Sequence, residues 1–141
     1  MNRNIQTIFC DDIRHEIDGK ISYIGAYNGV LFVSNFPATL PKLCLSVIAL
    51  TPSGKPFTKL KMRVLHNDAE MFTGELDENQ LSEITGSISA NGSEDAWLSL
   101  QSFVVFSPFT IEAPGKIRVL VETEEGELLG PGLKIDTMPV T

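Results

Sequence analysis

The sequence predicts an all-β fold: an antiparallel sandwich of seven to nine short strands with one short helix, and a small closed β-barrel as the alternative architecture. Three observations carry this. Apolar residues alternate or gather in short runs, turn signals recur every 8–15 residues, and helical spacing appears only once. At 141 residues the chain reads as a single domain spanning 1–141, long enough to bury about two thirds of its surface without metal or disulfide staples.

Ile5 to Glu16 reads as the first strand, ending at Ile17-Asp18-Gly19-Lys20. Asp-Gly is a hairpin signal, because a type I′ turn needs positive φ at both central positions. Lys20 to Gly29 then returns antiparallel, with Gly25 and Gly29 marking a bulge or a close approach. Val30 to Val33 is a short apolar piece, and Pro37 and Pro41 exclude a central strand around Thr39. Leu43 to Leu50 is apolar on both faces except at Ser46 and reads as a central strand.

Phe57 to His66 is the clearest amphipathic strand. Leu60, Met62 and Val64 point one way, while Lys59, Lys61 and Arg63 point the other. Asn67-Asp68 turns the chain into Glu70 to Leu76. Asp77 to Thr85 is the one helical stretch, and Gly86 to Ala96 reads as loop. Trp97 to Phe106 is a strand apolar on both faces, so either the domain covers both or one makes a contact. Ile117, Val119 and Val121 alternate with Lys116, Arg118 and Glu122 in the penultimate strand. The last strand is broken by Gly130-Pro131-Gly132 and reads as an edge. This closing unit resembles the penultimate strand and final hairpin of immunoglobulin-like sandwiches.

Charge narrows the function classes. A net charge of −7 opposes coating of double-stranded nucleic acid or an anionic membrane. No apolar run approaches the ~18 residues that span a bilayer. The first residues lack the apolar stretch of a secretory signal, so the expected compartment is the cytoplasm, where thiols stay reduced. Cys10 and Cys44 are then two buried free thiols rather than a bonded pair. With no Cys-x-x-Cys and with His15 and His66 far from either cysteine in sequence, no metal and no cofactor is expected.

The sequence contains no nucleophile elbow, phosphate-binding loop or dinucleotide fingerprint, which points away from an enzyme. Asp11 and His15 are four strand residues apart, about 13 Å by rise, and cannot share a metal. His66 is expected in solvent beside Asp68. Two groups are candidate binding residues. Lys59, Lys61 and Arg63 form a basic row suited to a small, nucleotide-like anion or an acidic partner segment. Asp12 and Arg14 share a strand face and suit an ion pair or a loop contact.

Ile8-Phe9-Cys10-Asp11-Asp12-Ile13-Arg14, Gly19-Lys20-Ile21-Ser22, Gly25-x-Tyr27-x-Gly29 and Leu40-Pro41-Lys42-Leu43 resemble a family of small uncharacterised bacterial proteins. That family is described as a domain of unknown function, with some members carried on prophages or mobile elements. The resemblance implies a compact cytoplasmic β-rich domain and transfers no functional residue. The expected function is a non-enzymatic interaction module that binds another protein, or a second copy of itself, through a sheet edge or face. The N-terminal strand and the strand broken at Gly130-Pro131-Gly132 are the edges expected to do so. An anion-binding protein using the basic row is the alternative, and a small hydrolase built on Asp11, Asp12 and His15 is the second.

Overall fold

The computed structural model describes residues 2–90 and 96–139. Two sheets pack face to face, and neither closes into a barrel. The first contains β1 (Asn4–His15), β2 (Ile21–Ala26), β5 (Leu43–Pro52) and β8 (Trp97–Phe106), in the order β2-β1-β5-β8. The second runs β3-β12-β10-β6-β7, from β3 (Val30–Val33), β6 (Leu60–His66), β7 (Ala69–Leu76), β10 (Gly115–Thr123) and β12 (Leu133–Thr137). β11 (Gly126–Leu129) also pairs with β10. A small third ladder joins β4 (Ala38–Leu40) to β9 (Phe109–Ile111). The strand segments exceed the expected seven to nine because β3, β4 and β9 are brief and Gly130-Pro131 splits one strand into β11 and β12.

Alternation builds the core. Ile5, Phe9, Leu43, Leu45 and Val47 from one sheet meet Val64, Ile117, Val119, Val121, Leu133 and Ile135 from the other. Burying each such side chain contributes about 1.5–3 kcal/mol before entropy is counted. The two expected tight turns form, with one difference in loop length. Asn67 and Asp68 have φ of 50° and 68°, the pair of left-handed residues a two-residue hairpin needs. Asp18 and Gly19 are also left-handed, at 67° and 73°. There Glu16 N–H bonds the Lys20 carbonyl at 2.8 Å, so the loop holds three residues, Ile17 to Gly19, rather than two.

Three expectations are corrected by the topology. The N-terminal strand β1 is an edge only in part: β5 pairs with it from Asn4 to Cys10 on one side, and β2 from Cys10 to His15 on the other. The broken last strand is an edge only in its first part: β11 pairs with β10 alone among the described residues, whereas β3 pairs with β12 in parallel from Lys134↔Val30 to Thr137↔Val33. The helix α1 (Glu78–Ala90) runs past Thr85, so 86–90 are helical and not loop. The remainder of that expected loop, 91–95, lies outside the described residues. α1 starts on a reciprocal cap: Gln80 N–H bonds Asp77 Oδ1 at 2.8 Å, and Asp77 N–H bonds Gln80 Oε1 at 2.9 Å.

β1 changes partners midway. Up to Cys10 it pairs with β5, and from Asp12 to His15 with β2 alone. The hairpin arm lies across the outer face of β5 and β8: the His15 ring meets Phe103 edge-on at 5.0 Å, and Tyr23 Oη lies 3.1 Å from Ser46 Oγ.

Candidate functional site

The basic row is in register with acidic partners. Lys61 sits opposite Glu75 on β7 and Glu122 on β10. Lys59 Nζ bonds Glu122 Oε1 at 3.0 Å, and Arg63 Nε lies 4.0 Å from Glu70 Oε2. The hydrogen bond from Lys59, then its charge, hold the Glu122 carboxyl below its ordinary range. The outer face of this sheet is therefore a mixed-charge ladder.

Asp12 and Arg14 lie on the other sheet, so the structure does not bring the two candidate groups together. Lys42 Nζ donates to Asp12 Oδ1 at 2.7 Å, and this bond lowers the Asp12 pKa. Arg14 sits opposite Ser22 on the hairpin arm. Asp11 is turned elsewhere: Tyr27 Oη donates to its Oδ1 at 2.6 Å, and burial followed by this bond raises the tyrosine pKa. Gly25 has φ +66°, and a Cβ there would overlap the Asp11 carboxylate. Asp11, Asp12 and His15 thus engage Tyr27, Lys42 and Phe103 respectively. No group of three or more His, Cys, Asp or Glu among the described residues is placed to hold a metal ion.

His66 departs from expectation. Its Nε2 is buried without a hydrogen-bond partner, its ring lies 6.3 Å from that of Phe109, and desolvation lowers its pKa. Cys10 and Cys44 are free, buried and directly opposite in the β1–β5 ladder.

The feature that fits a contact is the side of the sandwich where β7 and β8 are the terminal strands of their sheets. Unpaired backbone groups on an edge invite another strand, and charges, prolines, bulges or brevity usually prevent it. The other edges carry such devices. β3 and β11 have four residues each, β2 is six residues with a left-handed Gly25, and β7 carries Glu70 and Glu75. β8 has ten residues, WLSLQSFVVF, with no charge and no proline, and among the described residues its only strand partner is β5. Val105 stands 55% exposed on it.

Beside this edge opens a cleft of about 240 Å³. Leu60, Met62, Phe72 and Leu76 form its apolar wall, and Ser102 and Phe103 of β8 form the facing one. Gly74 contributes no side chain to fill it. Sequence reasoning missed the cleft, because its walls come from strands far apart in the chain. The signal available for β8 was the apolar pattern on both faces of Trp97 to Phe106.

A family model described as a family of unknown function (DUF6941) matches residues 6–135. No curated protein and no solved structure matches the chain. No helix among the described residues is long and apolar enough to cross a membrane.

Proposed function

The chain belongs to this family of unknown function, and from its geometry we propose a non-enzymatic binding module that captures an extended protein segment on the free edge of β8. The observation that carries the reading is the ten-residue, uncharged, proline-free edge lying beside an apolar cleft. Strand addition draws affinity from main-chain hydrogen bonds and specificity from pockets for alternate side chains. An added strand lies about 4.8 Å from β8, and the side chains on its inner face are aimed toward the cleft wall. The strand order supports an immunoglobulin-like reading of the scaffold. β12-β10-β6-β7 corresponds to the G-F-C-C′ sheet of such domains, and β5 and β8 to strands B and E opposite it.

Selection of binders from a random peptide display library, followed by amide hydrogen exchange on the complex, tests the proposal. Slowed exchange across Trp97–Phe106 is the expected result. Binders that slow exchange elsewhere and leave Trp97–Phe106 unchanged overturn it.

A further inference from the structure

Two nucleophilic side chains take no part in the capture at β8. Cys10 and Cys44 are free, buried, and directly opposite in the antiparallel β1–β5 ladder. Opposed residues in such a ladder have Cα atoms about 4.5–5.5 Å apart, within the span of roughly 4.4–6.8 Å that a disulfide bridges. Both thiols also point at one bend. The Cys10 thiol donates to the Asp12 carbonyl at 3.3 Å, and the Cys44 thiol to the Asp11 carbonyl at 3.8 Å. Those two residues lie where β1 leaves β5 and goes on paired with β2 alone. The S–H groups therefore tie down the root of the hairpin arm. Its outer part rests on Ser46 through Tyr23 and on Phe103 through His15.

We propose that Cys10 and Cys44 are a reversible modification site, which closes to a cross-strand disulfide by exchange with a low-molecular-weight disulfide and thereby loosens the hairpin arm. One cysteine thiolate first attacks a sulfur of the small disulfide, whose S–S bond breaks to leave a mixed disulfide and one small thiol. The other cysteine, as thiolate, then attacks the protein-bound sulfur, forming the Cys10–Cys44 bond and expelling a second small thiol. The protein thiols lose two electrons, the small disulfide gains them, and both thiol protons end on the released thiols. A disulfide carries no S–H. The Asp11 and Asp12 carbonyls then lose both sulfur donors, and the root of the arm is held less firmly. Burial raises the pKa of both thiols, so exchange waits for the arm to lift.

The test incubates the intact reduced chain with oxidised glutathione and follows it by mass spectrometry and amide hydrogen exchange. The expected product has lost two hydrogens, keeps no adduct, and returns to the starting mass with a reducing thiol. Amides of residues 13–26 should then exchange on the order of 5–10-fold faster than in the reduced chain, with those of β5 unchanged. Cys10→Ser combined with Cys44→Ser keeps a hydroxyl donor at each position. Its arm should exchange as slowly as in the reduced chain, and oxidised glutathione should leave it so. Cys10→Ala combined with Cys44→Ala removes the donors without forming a bond, and should loosen the arm as oxidation does.

Mixed disulfides on the two cysteines without loss of two hydrogens overturn the site, because the pair then fails to close. Thiols that stay free through prolonged exposure overturn it as well. If the bond forms and arm exchange is unchanged or slower, the carbonyl contacts do not hold the arm, and its loosening is overturned. If β5 exchanges faster together with the arm, the bond strains the ladder instead, and release confined to the arm is overturned.

Discussion

Cys10 and Cys44 are direct partners across the β1–β5 ladder, and neither thiol is reached by solvent. Their neighbours Phe9, Leu43 and Leu45 belong to the main core, so alternation turns both thiols to the opposite face of the sheet. There the hairpin arm covers them, with Cys10 Sγ 3.3 Å from the Asp12 carbonyl.

Burial first, then Cys44, pushes the Cys10 thiol up to about 11 from 9.0. The thiolate is the reactive species, so its population at neutral pH falls about 100-fold. Both thiols should react with an aromatic disulfide reagent at a rate set by opening of the structure, and promptly in denaturant. Stoichiometric reaction within seconds in the native state would show that the hairpin arm does not seal them.

Arg3 should be the most costly polar residue to remove. Its side chain is 5% exposed, lies 4.5 Å above the Phe57 ring, bonds Thr51 Oγ1 at 2.9 Å and forms a salt bridge with Glu124. Arg3→Met should destabilise the fold by about 2–4 kcal/mol, lowering Tm by on the order of 10 °C, because Glu124 loses its partner and Thr51 a donor. Calorimetry of the variant checks this.

Stability should decline with acidification in two windows. His66 binds its proton less readily folded than unfolded, because burial desolvates the ring. Its contribution is complete above about pH 6.5 and is lost as pH falls below that value. Burial raises the Glu124 pKa, but hydrogen bonds from Arg3 and the Thr58 N–H outweigh it and hold the carboxyl below 4.5. That contribution is present above pH 4.5 and is lost on further acidification. Urea unfolding at stepped pH should show both declines, and His66→Gln should flatten only the first.

Gly25→Ala should cost about 1–3 kcal/mol, from a left-handed φ and from overlap with the Asp11 carboxylate. Combining it with Asp11→Gly should recover the overlap and leave the backbone cost. Strict additivity in that double-mutant cycle would place Asp11 elsewhere.

What the sequence made legible was local. Leu60, Met62 and Val64 face inward against Lys61 and Arg63, as their alternation predicts, and Asn67-Asp68 turns where its chemistry requires. The expected helix ends at Thr85 because the Gly-, Ser- and Asn-rich composition of Gly86 to Ala96 reads as loop, although Ile88 follows Ile84 at helical spacing. Long-range pairing was not legible. Nothing near Gly130-Pro131-Gly132 announces that Val30 to Val33 will cover β12. Nothing in the basic row announces that Glu75 and Glu122 will stand opposite Lys61. The candidate site belongs to this second kind, since an edge is defined by which strands fail to arrive.

The parallel β3–β12 pair also sets an order on biosynthesis. Leu31 and Val33 are core side chains whose strand has β12 as its only strand partner among the described residues. A chain emerging from the ribosome exposes them until Leu133 to Thr137 has been made, so the second sheet closes only after β12 has emerged. Premature termination before Leu133 leaves β3 unpaired and the inner face of β10 partly uncovered, a substrate for proteolysis rather than a smaller working domain.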